Sequence, residues 1–132
     1  IPGAPAALNK IAGALTLRYR YWYEGYLKPR KLDVPLVISE GGIDAGVGQG
    51  CPQRQQNEAG WFSCYKDWAS LGLGPDMWRV YLEQLKWYDS ELRKDDYVIG
   101  VTLFTAGTAN TEWHSFDLND MLRPMAFYMN EQ

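Results

Sequence analysis

Apolar residues recur at three- and four-residue steps in three segments of the chain, the spacing that is typical of one helix face. These segments cover about residues 5–27, 76–93 and 120–129, and Pro29 is expected to end the first. Two other apolar runs, 34–39 and 97–105, are short, rich in Val and Ile, and do not alternate with polar residues. Such runs are typical of strands buried on both faces in a parallel sheet.

The segment between the first strand and the second long helix, residues 41–74, shows no periodicity and is rich in Gly, Gln, Asn and aromatic residues. A loop of this length in a compact domain is usually functional. A short helix is expected inside it, around Trp61 to Trp68. The order helix, strand, long loop, helix, strand, loop, helix predicts an α/β fold of parallel βαβ units. Two strands alone leave both sheet edges unpaired, so the missing strands are expected from a longer parent chain or another copy.

Composition narrows the class of protein. The 132 residues, 46% hydrophobic and 14% aromatic, suffice for one ordinary domain but fall short of the ~250 residues of a complete (β/α)8 barrel. The formal net charge of −3, with scattered Lys and Arg, argues against a nucleic-acid partner. No apolar run approaches the ~20 residues of a membrane span, so no membrane partner is expected. The chain begins Ile-Pro-Gly, without a signal-peptide pattern, and we expect it to be processed or cut from a longer one.

Glu40 is the first candidate for chemistry, because it lies at the carboxyl end of the first predicted strand, directly before Gly41 and Gly42. In parallel α/β folds, ligands bind at that end of the strands. A strand holds a carboxylate rigidly, and glycines allow substrate or backbone to approach closely. Position alone leaves two interpretations open: a catalytic carboxylate, or a solvated glutamate that caps the following turn.

Residues 34–44, Val-Pro-Leu-Val-Ile-Ser-Glu-Gly-Gly-Ile-Asp, resemble the seventh strand of retaining glycoside hydrolases of the large (β/α)8 clan. In that clan an apolar strand ending (Ser/Thr)-Glu-(Gly/Ala)-Gly carries the nucleophilic Glu. The helix containing residues 17–23 resembles the sixth helix of such barrels, and residues 97–105 resemble strand eight. The resemblance implies that residues 1–132 form a single C-terminal segment of a barrel, with 41–74 as the strand-seven loop and Glu40 as nucleophile.

The resemblance also implies a missing partner for Glu40. A retaining glycosidase needs two carboxyl groups about 5–5.5 Å apart, and in this clan the acid/base is a Glu, usually after Asn, at the end of strand four. No Asn-Glu pair precedes Glu40; Asn57-Glu58 and Asn130-Glu131 follow it. The chain is therefore expected to hold half of a catalytic pair and to act on a poly- or oligosaccharide together with the remainder of a barrel.

Further substrate contacts are expected in the loops. The resemblance implies that Trp113, after strand eight, forms the floor under the sugar; alternatively it packs beneath its own loop. His114 is the single histidine and could hydrogen-bond a sugar hydroxyl or act as an acid/base, although a lone loop histidine is often incidental. The long loop supplies planar amides and aromatic rings, from which we select Trp61 as a ring that contacts sugar. Asp44 and Gln49 complete the predicted contacts.

Cys51 and Cys64 lie in the same loop, 13 positions apart. A disulfide between them would stabilise the loop by roughly 3 kcal/mol and would imply an oxidising compartment, hence a secreted or extracellular protein; the alternative is two unrelated thiols. Two Cys and one His match no zinc pattern, and the glycines of residues 46–50 lack the Lys of a phosphate-binding loop. We therefore expect neither a metal nor a cofactor.

Three functions remain after these observations. The leading hypothesis is a fragment or subunit of a retaining glycoside hydrolase. The second is a carbohydrate-binding module that uses the same cleft without catalysis. The third is a structural or assembly protein, in which the open sheet edges and aromatic helix faces bind other chains.

Overall fold

The computed structural model describes residues 17–42, 60–70, 72–73, 75–108 and 113–132, without the side chains of 18 and 64–67. In this part the chain is mixed α/β. Its helices are α1 (Arg18–Trp22), α2 (Trp61–Ser70), α3 (Met77–Leu92) and α4 (Leu122–Asn130), and its strands are β1 (Leu36–Gly41) and β2 (Val98–Leu103). Of the predicted elements, residues 5–16 of the first helix and residues 43–59 of the long loop lie outside the described residues.

The two strands pair in parallel, as the sequence predicts. Leu36 pairs with Val98 and Gly41 with Leu103, with two shifts of register between these pairs. The connection from β1 to β2 contains α2 and α3, so the described chain has the alternation of helices and strands expected of parallel βαβ units.

Burial of the strands differs from the prediction. Val37 in β1 is 53% exposed and Ile99 in β2 is 67% exposed, so the expectation of strands buried on both faces is wrong for this chain. Strand β1 also begins later than predicted, since Pro35 has no N–H to donate and the first N–H bonded to the neighbouring chain belongs to Leu36, which donates to the Tyr97 carbonyl at 2.8 Å.

Helix α1 continues beyond Trp22 in two unusual turns. A π-helical turn covers Tyr23–Leu27 and a 3₁₀ turn covers Lys28–Arg30. The predicted stop at Pro29 is displaced, because a proline is tolerated in the first turn of a helical segment. The chain leaves the helix at Lys31, whose φ of 58° is left-handed.

The main hydrophobic core lies between α2, α3 and the segment that follows β2. Its fully and nearly buried members are Trp61, Trp68, Tyr81, Phe116, Leu118 and Met121. Helix α3 begins where the sequence predicts, because the Asp76 carboxylate accepts a hydrogen bond from the Arg79 N–H at 3.2 Å and caps the first turn.

A second set of contacts joins the π-helical turn after α1 to the residues that precede the two strands. The ring of Tyr23 stacks on Tyr97, with centroids 3.6 Å apart, and the Tyr23 hydroxyl donates to the Val34 carbonyl at 2.8 Å. Burial raises the pKa of Tyr97 to about 12.

Among the described helices, none combines the length and apolar character that a bilayer crossing requires.

Candidate functional site

Glu40 is the penultimate residue of β1 and its side chain is exposed at the carboxyl end of the strand. The residues before and after Glu40 are hydrogen-bonded to β2 and to the residue that follows β2. The Thr102 hydroxyl donates to the Ser39 carbonyl, and the Phe104 N–H donates to the Gly41 carbonyl at 2.9 Å. The carboxylate therefore projects from backbone that is held before and after it.

The two glycines after Glu40 allow β2 and α3 to approach the end of β1 closely. A Cβ at Gly41 would lie 2.5 Å from Cγ2 of Val101. Gly42 has a φ of 132°, which side-chain-bearing residues rarely adopt, and a Cβ there would lie 3.1 Å from the Tyr81 hydroxyl. The close approach predicted for this pair is therefore made by β2 and α3, and both glycines are needed to shape the strand end that carries Glu40.

Trp113 lies at the same edge of the sheet as Glu40. Its half-buried ring packs edge-to-face on Phe104 at 5.2 Å and on Phe116 at 5.7 Å. Phe104 directly follows β2, is joined to Gly41 by the backbone hydrogen bond, and forms a cis peptide bond with Thr105. Phe104 thus links the two strand ends. Phe104 lies inside the apolar run 97–105, and nothing in that run distinguishes it as the residue that joins the strand ends.

His114 begins a short 3₁₀ turn, His114–Phe116, and is exposed. Its ring lies 6.3 Å from that of Phe62 in α2. The next residue, Ser115, is buried, and its hydroxyl accepts a hydrogen bond from the Gly60 N–H at 2.9 Å. The loop after β2 is therefore held to the start of α2 while His114 remains open to solvent.

Asp117 has a structural role in this loop. Its Oδ1 accepts hydrogen bonds from the backbone N–H of Gly107 at 3.1 Å and of Asn119 at 3.0 Å. Its Oδ2 accepts a further hydrogen bond from Nδ2 of Asn119 at 3.3 Å. Together these bonds shape the return of the chain toward α4. Of the two described strands, only β1 contains a carboxylate, that of Glu40.

Trp61 lies in the core. It is 1% exposed, stacks on Tyr81 with centroids 5.0 Å apart, and donates its indole N–H to the Asp117 carbonyl at 3.1 Å. Gly60 brings the chain there, since a Cβ at this position would lie 2.1 Å from the Ser115 carbonyl oxygen. This burial is evidence against the predicted contact of Trp61 with a sugar.

The remaining predicted residues fall on parts of the chain whose placement is not described. Asp44, Gln49 and Cys51 lie outside the described residues, and Cys64 lies in α2 without a described side chain. Their roles stay predictions. In the described part of the chain, no three His, Cys, Asp or Glu side chains gather into a group that could hold a metal ion.

The arrangement at the carboxyl edge joins an exposed carboxylate with a fixed aromatic ring. The structure brings Glu40 and Trp113 to this edge, with His114 adjacent to Trp113 in the chain. A carboxylate at such a place can act as a nucleophile or a general base. No protein-family model matches the chain, and neither the curated proteins nor the solved structures contain a significant match.

Proposed function

We propose that this chain is the C-terminal part of a retaining glycoside hydrolase, with Glu40 as its nucleophile, acting on a poly- or oligosaccharide. The observation that carries the proposal is the position of Glu40. Its exposed carboxylate stands at the carboxyl end of a parallel strand, before two glycines that shape the strand end, and Trp113 is fixed at the same edge.

In the proposed reaction, the Glu40 carboxylate attacks the anomeric carbon while the bond to the leaving oxygen breaks. A second carboxylic acid donates its proton to that oxygen and then takes a proton from the water that hydrolyses the glycosyl ester. Trp113 offers a flat apolar face to the C–H face of the sugar. The imidazole of His114 can hydrogen-bond a sugar hydroxyl.

The second carboxylic acid is proposed to come from the remainder of a (β/α)8 barrel. Among the described residues, the carboxylate of Asp117 accepts hydrogen bonds from two backbone N–H groups. The remainder belongs to a longer parent chain or to another copy of this one. A secreted location is part of this proposal and depends on the predicted pairing of Cys51 with Cys64.

The nucleophile can be tested without its partner acid. Dinitrophenyl glycosides that carry fluorine beside the anomeric carbon have a leaving group that departs without protonation, so a nucleophile alone can capture the sugar. We expect one member of a glucosyl, xylosyl, mannosyl and galactosyl set to add one glycosyl mass to the peptide containing Glu40, detected by mass spectrometry. Glu40→Gln should abolish this adduct.

Glu131→Gln is the matched control, because Glu131 is an exposed carboxylate after an Asn at the other end of the chain. This variant should label as the unchanged protein does. A label on another residue, or equal labelling of Glu40→Gln, would remove Glu40 from the mechanism.

A carbohydrate-binding module is the second candidate function. The single carboxylate at the described strand ends favours it, because hydrolysis with retention needs two. Saccharide binding that is weakened by Trp113→Ala and retained in Glu40→Gln, with no labelling by any of the four glycosides, would support this function over the hydrolase.

A further inference from the structure

Three aromatic side chains form an exposed cluster on the first helical segment, which we call the helix platform: Tyr21, Trp22 and Tyr26. They are 61%, 50% and 39% exposed, respectively. The ring of Trp22 lies 5.4 Å from Tyr21 and 5.0 Å from Tyr26, and the two tyrosine rings are 5.5 Å apart. Each ring therefore contacts both others while a large part of its surface faces solvent.

The helix platform depends on the π-helical turn at Tyr23–Leu27. Tyr21 and Tyr26 are five positions apart, and in an α-helix such side chains diverge by about 140°, since each residue turns by about 100°. The wider turn brings them together, and their hydroxyls hydrogen-bond at 3.0 Å. π-Helical segments are rare in proteins, and the single turns that do occur are often found at functional sites.

Contacts below and beside the helix platform hold its rings in place. Tyr23, between the platform residues in the chain, is 3% exposed and stacks on Tyr97. Arg30 donates from Nη1 to the Tyr26 carbonyl at 2.9 Å, and its guanidinium carbon lies 5.6 Å from the centre of the Tyr26 ring. Rings that are already ordered lose little conformational freedom when a ligand binds.

The helix platform and the candidate site belong to opposite ends of the strands. Tyr23 contacts Val34, which precedes β1, and Tyr97, which directly precedes β2. Glu40 lies four residues beyond Leu36 along β1, a distance of about 13 Å at the rise of a strand. A ligand on the helix platform would therefore not occupy the site of Glu40.

We propose that the helix platform is a second, non-catalytic site that binds a neutral saccharide. The three ring planes are inclined to one another by 39° to 79°, so a single exposed ring face, such as that of Trp22, fits the C–H face of one pyranose ring. The tyrosine hydroxyls and the Arg30 guanidinium offer hydrogen bonds to sugar hydroxyls. The neighbouring charges of Glu24 and Lys28 are paired with each other at 3.3 Å. The choice of a saccharide rests on the proposed function, whereas the existence of a binding surface does not.

The test is electrophoresis of the full chain through native gels that contain hydroxyethyl cellulose, arabinoxylan, galactomannan or laminarin. We expect at least one polysaccharide to retard the protein. Trp22→Ala should weaken this binding about tenfold through the loss of one stacking ring, whereas Trp22→Phe keeps a flat ring and should stay within about threefold. Circular dichroism verifies that both variants fold.

Phe127→Ala is the control for the helix platform. It removes a ring that is 60% exposed on α4, outside the cluster, and should not alter the retardation. Absence of labelling at Glu40 in the unchanged protein, together with normal retardation, would overturn the proposed catalytic function and leave the inference about the helix platform intact.

Two outcomes would overturn the inference. One is the absence of retardation by all four polysaccharides, and the other is equal retardation of the unchanged protein and folded Trp22→Ala. If Trp22→Ala in the second case also has a lower native mass, the exposed rings serve a protein interface instead.

Discussion

At Gly41, a hydrogen atom in place of a methyl group decides how closely β1 can approach β2. The position of a Cβ there, 2.5 Å from Cγ2 of Val101, is incompatible with the present spacing. Val101 cannot easily turn away, because its branched side chain is stiff. The glycine therefore maintains the strand pairing from which Glu40 projects.

We predict that Gly41→Ala lowers the free energy of unfolding by about 1–3 kcal/mol, the usual range for an overpacked site. Urea denaturation followed by tryptophan fluorescence measures this change. Gly100→Ala is the matched control, because a Cβ at Gly100 meets no atom within 4 Å, and it should change the stability by less. Equal losses in the two variants would show that the contact with Val101 is not the cause.

Single residues also show where prediction from sequence stops. The positions of Glu40 and Trp113 at the carboxyl edge follow from local patterns, a strand end and a loop after a strand. The burial of Trp61 does not, because it depends on the contact of Gly60 with Ser115, 55 positions further along the chain. The local sequence around a tryptophan in a polar loop does not indicate whether its side chain faces solvent or the core.

Among the elements, those with local start and stop signals were predicted well. Helix α3 begins at the Asp76 cap, and the short helix expected near Trp61 to Trp68 is confirmed as α2. The π-helical turn after α1 was not predicted, because apolar spacing does not distinguish it from an α-helix. The exposure of β1 was not predicted either. An apolar run shows that a strand has side chains suited to burial, but it does not show whether another element packs on them.

The link between α1 and the end of α3 depends on Arg20. Its Nε lies 2.6 Å from Oδ2 of Asp95 and its Nη1 lies 3.3 Å from Oε2 of Glu91. We predict that Arg20→Leu lowers the free energy of unfolding by about 1.5–3 kcal/mol, as for hydrogen bonds to charged groups. Lys28→Ala, which breaks the exposed pair with Glu24, should cost about 0.2–1 kcal/mol. Thermal or urea unfolding of the two variants provides the comparison, and a smaller effect at Arg20 would refute this role.

The same link has a pH dependence with a defined sign. The hydrogen bond from Lys94, and then that from Arg20, lower the pKa of Glu91 below its ordinary value of 4.5. Stability from this ionised carboxylate is thus present above pH 4.5 and is lost as the pH falls through the lowered pKa. We expect the free energy of unfolding, measured at several pH values across this acid range, to decrease less steeply with falling pH for Arg20→Leu than for the unchanged protein.

For the molecule as a whole, the open sheet leads to a prediction about mass. The described sheet has two strands, with Val37 and Ile99 exposed, and small sheets need further strands or packing for stability. We predict a native mass above the 15.1 kDa of the chain, from a second copy or a co-purifying partner. Native and denaturing mass spectrometry of one sample measures it, and 15.1 kDa under both conditions would contradict the prediction.

For the whole molecule, the sequence indicates the class of fold but not what covers the exposed faces of the sheet. Parallel pairing and the order of elements follow from the βαβ pattern of residues 34–105. The covering of the exposed strand faces depends on contacts that these residues alone do not supply.

The parallel pairing of the strands also sets the order in which the chain can fold. Leu36 pairs with Val98, 62 positions later, so forming the sheet requires closure of a long segment before any strand contact is gained. Such closure is costly in entropy, and proteins dominated by distant pairings fold slowly. Helices α2 and α3, near each other in the chain and joined through Trp61 and Tyr81, can associate earlier and shorten that search. The edge that carries Glu40 is therefore expected to be completed late.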